Sequence, residues 1–190
     1  MANSTLHTQT ITLADGRVIT IETGKMARQA NGAVLLRLEN TVLFASAVAS
    51  KEPKPGIDFF PLTVDYQEKY SSTGRFPGGF LKRETRLSDY EVLISRLIDR
   101  AIRPLFPDDY HNDVQIAVYL WSSDKKTAPD CLAALAASAA LTFSGLPFLG
   151  PISEVRVAKI NGEYVINPDL DQMENATLDI MLAGSAHDIN

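Results

Sequence analysis

The sequence predicts an α+β fold, and three observations carry that expectation. Runs rich in Val, Ile, Leu and Thr, of strand length, crowd the first 50 residues and return at 114–121 and 152–183. Two helix signals fall between them, one at about Asp89 and one at 130–143. Short hairpin signals, Asp15-Gly16 and Asn161-Gly162, link neighbouring strands without a helix. Strands followed by a helix, then repeated, indicate sheet and helix layers over one core.

Residues 11–13 and 18–23 flank Ala14-Asp15-Gly16-Arg17 and predict a hairpin. Residues 33–39 and 41–49 predict two more strands around Glu39-Asn40. In the first of these, Val34, Leu36 and Leu38 alternate with Leu35 and Arg37, the pattern of a half-buried sheet. KEPKPG at 51–56 is a loop, and 62–66 a further strand. Ser88 and Glu91 have the spacing of a capping box, so a helix starts at about Asp89 and stops before Pro104. Val92, Leu93, Leu97, Ile98 and Ala101 supply its apolar positions. Residues 114–121 form a strand, 122–127 a polar loop, and 130–143 an Ala/Leu-rich helix stopped by Ser144-Gly145-Leu146-Pro147. Residues 152–160 and 163–166 pair around Asn161-Gly162, and 178–183 is a last strand.

At 190 residues the chain fits one domain, and 45% hydrophobic with 22% charged residues is ordinary globular composition. No apolar run reaches the length of a membrane span, and the first residues lack the basic and apolar regions of a secretory signal. A single cysteine, Cys131, allows no internal disulfide and suits a packed core, so the cytoplasm is the expected compartment. There is no internal repeat or low-complexity tract.

The cations are unevenly placed. Net charge is −5, yet seven of the 18 Lys and Arg lie between Arg75 and Arg103. Gly74, Pro77, Gly78 and Gly79 break regular structure just ahead of Phe80, Leu81, Lys82 and Arg83, with Arg86 three residues on. Arg96, Arg100 and Arg103 then recur at i, i+4 and i+7 on one helix face. Two readings fit. The face is solvated and balanced by Glu91 and Asp99, with Asp99 and Arg103 an ordinary i, i+4 pair. Alternatively it binds phosphate, for which the Arg fork is suited, beside apolar side chains that face bases of a single strand. Spacing alone leaves both open.

The runs Gly74-Arg75-Phe76-Pro77-Gly78, Phe80-Leu81-Lys82-Arg83, Arg96-Leu97-Ile98-Asp99-Arg100 and Ile102-Arg103-Pro104-Leu105-Phe106-Pro107 resemble the N-terminal ribonuclease-PH-type domain of bacterial polynucleotide phosphorylases. The likeness runs from Gly24-Lys25-Met26-Ala27 to Leu182-Ala183-Gly184-Ser185, nearly the whole chain. It implies a ribonuclease PH-like domain with the β-α-β-α layers of the ribosomal protein S5 domain 2-like fold. It further implies that residues 1–190 are the C-terminally truncated, N-terminal part of a longer chain.

The activity implied by the resemblance is reversible 3′-to-5′ phosphorolysis of RNA, by inorganic phosphate, to nucleoside diphosphates, in mRNA degradation. The family forms a trimeric ring around an RNA channel, and its second domain holds the chemistry and the Mg²⁺. At the corresponding places this chain has 122–130, where Asp124 and Asp130 oppose an anion and Pro129 lacks an amide, although Lys125 and Lys126 are present. Asp171 stands for one metal carboxylate and Thr177 for the other, and Asp169, Asp171, Glu174 and Asp179 read as a solvated acidic turn. His7, His111 and His187 are isolated in loop or disordered contexts, and Ser138 reads as packing rather than nucleophile. No catalytic or metal residue is therefore expected here, and the isolated domain is expected to be inactive.

What carries over is RNA guidance. By resemblance, Phe80, Leu81, Lys82 and Arg83 form a constriction loop on the entering strand, although Leu81 stacks less well than an aromatic and Lys82 lacks the guanidinium fork. Arg86, Arg96, Arg100 and Arg103 match arginines that face or stabilise the ring interior. For Arg100 and Arg103, pairing with Asp99 or with an adjoining domain competes with RNA contact. Two alternatives stand beside this reading: a free-standing ribonuclease PH-like enzyme, and a non-catalytic ring subunit of the exosome type.

Overall fold

The computed structural model describes residues 6–80, 82–84 and 86–185. Strands β1 (His7–Thr12), β2 (Val18–Thr23), β3 (Gly32–Leu38), β4 (Thr41–Ala49), β5 (Leu62–Glu68) and β6 (Val114–Ser122) form a six-stranded sheet in the order β1-β2-β3-β4-β6-β5. Strands β7 (Ser153–Ile160), β8 (Glu163–Ile166) and β9 (Ala176–Gly184) form a second sheet in the order β8-β7-β9. Between them lie helices α1 (Asp89–Ile102) and α2 (Ala133–Ser144), and α3 (Leu170–Met173) is one short turn before β9. This is the α+β layering expected of the sequence.

All neighbours in the large sheet are antiparallel except β5 and β6. Parallel pairing requires a crossover, here supplied by α1. The crossover leaves a 20-residue connection, 69–88, at the carboxyl end of β5. Register puts Glu68 beside Leu120, so the carboxyl ends of β5 and β6 lie together under that connection.

Local chemistry explains most boundaries. The Ser88 hydroxyl accepts from the Glu91 amide at 3.2 Å, and the Glu91 carboxylate accepts from the Ser88 amide at 2.7 Å, completing the capping box. Asn161 (φ 52°) and Gly162 (φ 89°) join Ile160 to Glu163 in a two-residue turn with both central φ positive, the twist a hairpin prefers. The Asp15 carboxylate accepts from the Arg17 amide and side chain at 2.9 and 2.6 Å, fixing the first hairpin.

Helix α2 is apolar on all sides and accordingly central, packed by β3, β4, β6, β7 and α1. Ala133, Ala134, Ala136, Ala137 and Ala140 are fully buried, and these short side chains let the sheet come close. Gly32 marks the limit: a Cβ there would fall 2.1 Å from the Ala140 carbonyl oxygen. Helix α1 turns Ile94, Ile98, Ala101 and Ile102 inward, whereas Val92 and Leu93 are exposed. The main core joins these side chains to Leu36, Leu38, Leu43, Tyr66, Ile116 and Leu120.

Several expectations are corrected. The first strand spans His7–Thr12, so His7 belongs to a strand and not to a loop. β3 is buried on both faces, because Ala33 and Leu35 pack with Val42, Phe44 and Tyr119 on the outer side of the sheet. The Ala-rich helix begins at Ala133, after a 3₁₀ turn over Pro129–Leu132 in which Asp130 bonds the Cys131 amide at 2.8 Å. Cys131 therefore sits in that turn, 1% exposed, with its thiol pushed up to about 12 by burial. The 169–179 acidic residues do not form one solvated turn: Asp169 caps α3 and meets Arg17 at 3.6 Å, and Asp179 pairs with Arg156 at 3.0 Å. Leu81 and His187 lie outside the described residues.

Candidate nucleic-acid interface

Residues of the connection 69–88 line, with Gln67 and Glu68 at the carboxyl end of β5, an open cavity of about 460 Å³. One wall is the 3₁₀ turn Tyr70–Thr73, tied to β6 by the Ser123 amide donating to the Ser72 carbonyl at 3.1 Å. Gly74 (φ 70°) ends that turn in a conformation that L side chains resist, sending the chain outward. The other wall is the start of α1, Ser88 and Glu91. Arg75, Arg83, Arg86 and Lys69 face the cavity together with Glu68, Glu84 and Glu91.

A balance of four cations against three carboxylates suggests a neutral site, but hydrogen bonding divides them. Glu91 is consumed by the Ser88 amide and hydroxyl and by the Glu68 amide at 2.8 Å. Glu84 accepts from the Tyr70 amide at 2.7 Å and pairs with Lys69 at 3.1 Å. The Tyr70 amide is the chief cause of its carboxyl lying below the usual range, with Lys69 adding to it against a small cost of burial. Glu68 accepts from the Tyr66 hydroxyl at 2.8 Å, and burial raises its carboxyl above the usual range. Among the described residues, the guanidinium groups of Arg75, Arg83 and Arg86 have no such partner. Three guanidiniums without ion pairs in one cavity, where cations outnumber carboxylates by one, give it the chemistry of a candidate anion site.

The loop between Arg75 and Arg83 is largely exposed among its described residues. Phe80 is fully exposed and Phe76 is 86% exposed, with Pro77, Gly78 and Gly79 (φ 80°) between them. Lys82 takes φ 47° and is exposed, as is Arg83 beside it.

The structure divides the cation run into three places. Arg83 and Arg86 share the cavity just described, along with Arg75, which the site expectation left out. Arg96 and Arg103 border a shallow concavity against Leu62–Asp65 of β5. Arg100 borders a third, about 330 Å³, with Leu97, Pro104, Glu154 and Met181. Arg103 is engaged: its guanidinium bonds Asp99 at 2.6 and 3.0 Å and the carbonyls of Phe60 and Leu62 at 2.9 and 3.3 Å. That bracket fastens α1 to the entry of β5, which is the structural reading of this residue. Arg96 and Arg100 are exposed. Lys69 and Tyr70 also border the main cavity, and no motif in the sequence announced them.

The segment 122–130 presents no anion cradle. The Asp124 carboxylate accepts from the Lys126 and Thr127 amides at 2.8 and 3.1 Å, using the backbone donors an anion would need. Asp130 is 0% exposed, paired with Arg156 at 3.1 Å and receiving the Tyr90 hydroxyl at 2.8 Å. Asp171 is exposed on α3. Ser138 is fully buried and accepts from the Ile152 amide at 2.9 Å, a packing role. Among the described residues no three His, Cys, Asp or Glu side chains gather as metal ligands. No helix among them is long and apolar enough to cross a membrane.

Comparison with known proteins gives concordant results. Residues 15–147 match the model of the 3′ exoribonuclease family, domain 1, and residues 150–190 that of domain 2 of the same family. A polyribonucleotide nucleotidyltransferase of Cytophaga hutchinsonii is 58% identical over 181 residues, covering 95% of this chain and 25% of that protein. One from Parabacteroides distasonis is 59% identical over 181 residues, with 95% and 24% covered. The chain thus spans about a quarter of the length of these relatives. Among solved structures, an Archaeoglobus fulgidus exosome with RNA bound to the active site matches with TM-score 0.69 at 17% identity. That match covers 93% of this chain and 80% of the other, and shows a shared fold.

Proposed function

The chain belongs to the 3′ exoribonuclease family, and from that premise we propose that it guides RNA as the first ribonuclease-PH-type domain of a longer polyribonucleotide nucleotidyltransferase. The observation that carries the reading is the set of three guanidiniums, Arg75, Arg83 and Arg86, without ion-pair partners in one cavity, with an exposed Phe80 in the same loop. Such a site takes the phosphates of a single strand while the aromatic ring takes a base. Phe80, Lys82, Arg83 and Arg86 act together in this proposal. Leu81 belongs to the same loop in sequence, and Arg96 and Arg100 are secondary contacts further along α1. Arg103 serves the scaffold.

The whole enzyme would attack the 3′-terminal phosphodiester of RNA with inorganic phosphate. Each cycle forms a new P–O bond to the phosphate, releases one nucleoside diphosphate and returns the next 3′ hydroxyl. We assign that step, and Mg²⁺, to a second domain, because the described acidic groups of this chain are dispersed or already paired. Assembly as a homotrimeric ring, a cytoplasmic setting and a part in mRNA degradation belong to the same proposal. The Asp124 and Asp130 engagements weigh against a free-standing enzyme built on this segment.

Single-stranded RNA binding across a salt series tests the reading. Lys82→Ala/Arg83→Ala is expected to weaken binding and to flatten the slope of log K against log salt by about 1.4, some 0.7 for each lost phosphate contact. Superimposable wild-type and double-mutant lines would overturn it.

A further inference from the structure

Phe76 is 86% exposed, although a phenylalanine gains strongly from burial. Its neighbours explain why it stays out. Pro77 fixes the next φ, and Gly78 and Gly79 carry no side chain for the ring to pack upon. Among the described residues it has no ring or cation partner. Phe80, four positions on, is equally bare, so one Gly-rich loop holds two aromatic rings in water. Four residues span about 14 Å at most, which keeps the two rings within reach of nearby bases on one strand. Arg75, adjacent to Phe76, and Arg83, three residues past Phe80, both turn into the cavity with unpaired guanidiniums. Each ring therefore has a phosphate-binding fork close by in the chain.

We propose that Phe76 is a second base-stacking residue of this interface, completing with Phe80 an aromatic pair flanked by Arg75 and Arg83. The inference rests on the RNA-guiding reading above and deepens it. It assigns the loop a ligand of at least two unpaired bases. A purine-rich single strand is held more tightly than a sugar-phosphate chain of the same charge, because stacking strength follows ring area.

The test titrates the intact protein with labelled oligoadenylate and with an abasic ribose-phosphate oligomer of equal length. Phe76→Ala is expected to lower oligoadenylate affinity about 5-fold or more, and to leave abasic binding and the salt slope unchanged. Phe76→Tyr restores affinity and Phe76→Leu does not, since only the former returns a π face. Loss of both ligands alike, or rescue by Leu, would overturn the proposal, as would an unchanged oligoadenylate affinity, which would make Phe76 a protein contact. The parent reading fails separately: wild type that binds neither oligomer, or an Arg83→Ala variant indistinguishable from it on both, removes the interface and the inference with it.

Discussion

Glu154 is a charged group held where charge is costly. It lies on β7, 4% exposed, and its carboxylate accepts from the Ala134 amide at 3.1 Å. No side chain caps α2 at Leu132, so Glu154 supplies from another element the negative partner that a helix start favours. Burial nevertheless dominates and pushes its carboxyl up to about 7, aided by Asp130 and opposed by that amide and Arg156. The folded state therefore binds a proton more tightly than the unfolded state, so stability is full below about 4.5 and falls as pH rises towards 7. Between those limits the loss is about 3 kcal/mol at most. Glu154→Gln should raise the melting temperature relative to wild type at pH 8 and leave it unchanged at pH 4; equal shifts at both would refute the assignment. Nothing in the sequence marks this residue, because its environment is made by a helix 20 positions away. Arg103 shows the same limit: its pairing with Asp99 was legible from spacing, but the Phe60 and Leu62 carbonyls, more than 40 positions distant, were not.

Among the elements, those set by short-range chemistry were legible. The Ser88–Glu91 box placed the start of α1, and Asn161-Gly162 placed the β7–β8 turn. Elements fixed by tertiary contact were less so. Pro129 and Asp130 convert the expected first turn of the Ala-rich helix to 3₁₀, and Asp130 does so while held by Tyr90 and Arg156. The parallel β5–β6 pairing was likewise hidden, since alternation reports burial and not strand order. Hence the cations were visible as a run, but their division among three concavities was not. The β3–α2 contact offers an element-scale test. In Gly32→Ala the new methyl meets the Ala140 carbonyl at 2.1 Å and the Ser144 amide nitrogen at 2.9 Å, both main-chain atoms within a helix. A loss of about 3 kcal/mol or more is expected, read from the urea midpoint. A midpoint matching wild type would mean that α2 can move away from the sheet at no cost.

Across the whole molecule, a net charge of −5 contrasts with a cavity where cations outnumber carboxylates. A net negative charge disfavours a polyanion generally, so under the proposed function a strand would be drawn to the few places where guanidiniums stand free of ion pairs. Stability is graded as well. β4 and β6 lie inside the large sheet with Leu43, Ala45, Ala47, Val114, Ile116 and Val118 almost fully buried. β8 is an edge strand with Tyr164 and Ile166 more than half exposed. Hydrogen exchange should therefore be slowest in β4 and β6 and fastest in the exposed edge strands β1 and β8, through local opening that spares the centre of the large sheet; uniform protection would contradict this. One further property follows from the outer face of that sheet. Trp121, the single tryptophan of the chain, stacks on Phe44 at 4.6 Å and 7°, and is only 39% exposed. It stands two residues before Ser123, whose amide holds the turn that walls the cavity. The protein thus carries its own optical reporter: one indole, in one environment, joined by a few bonds to the turn that walls the arginine-lined cavity.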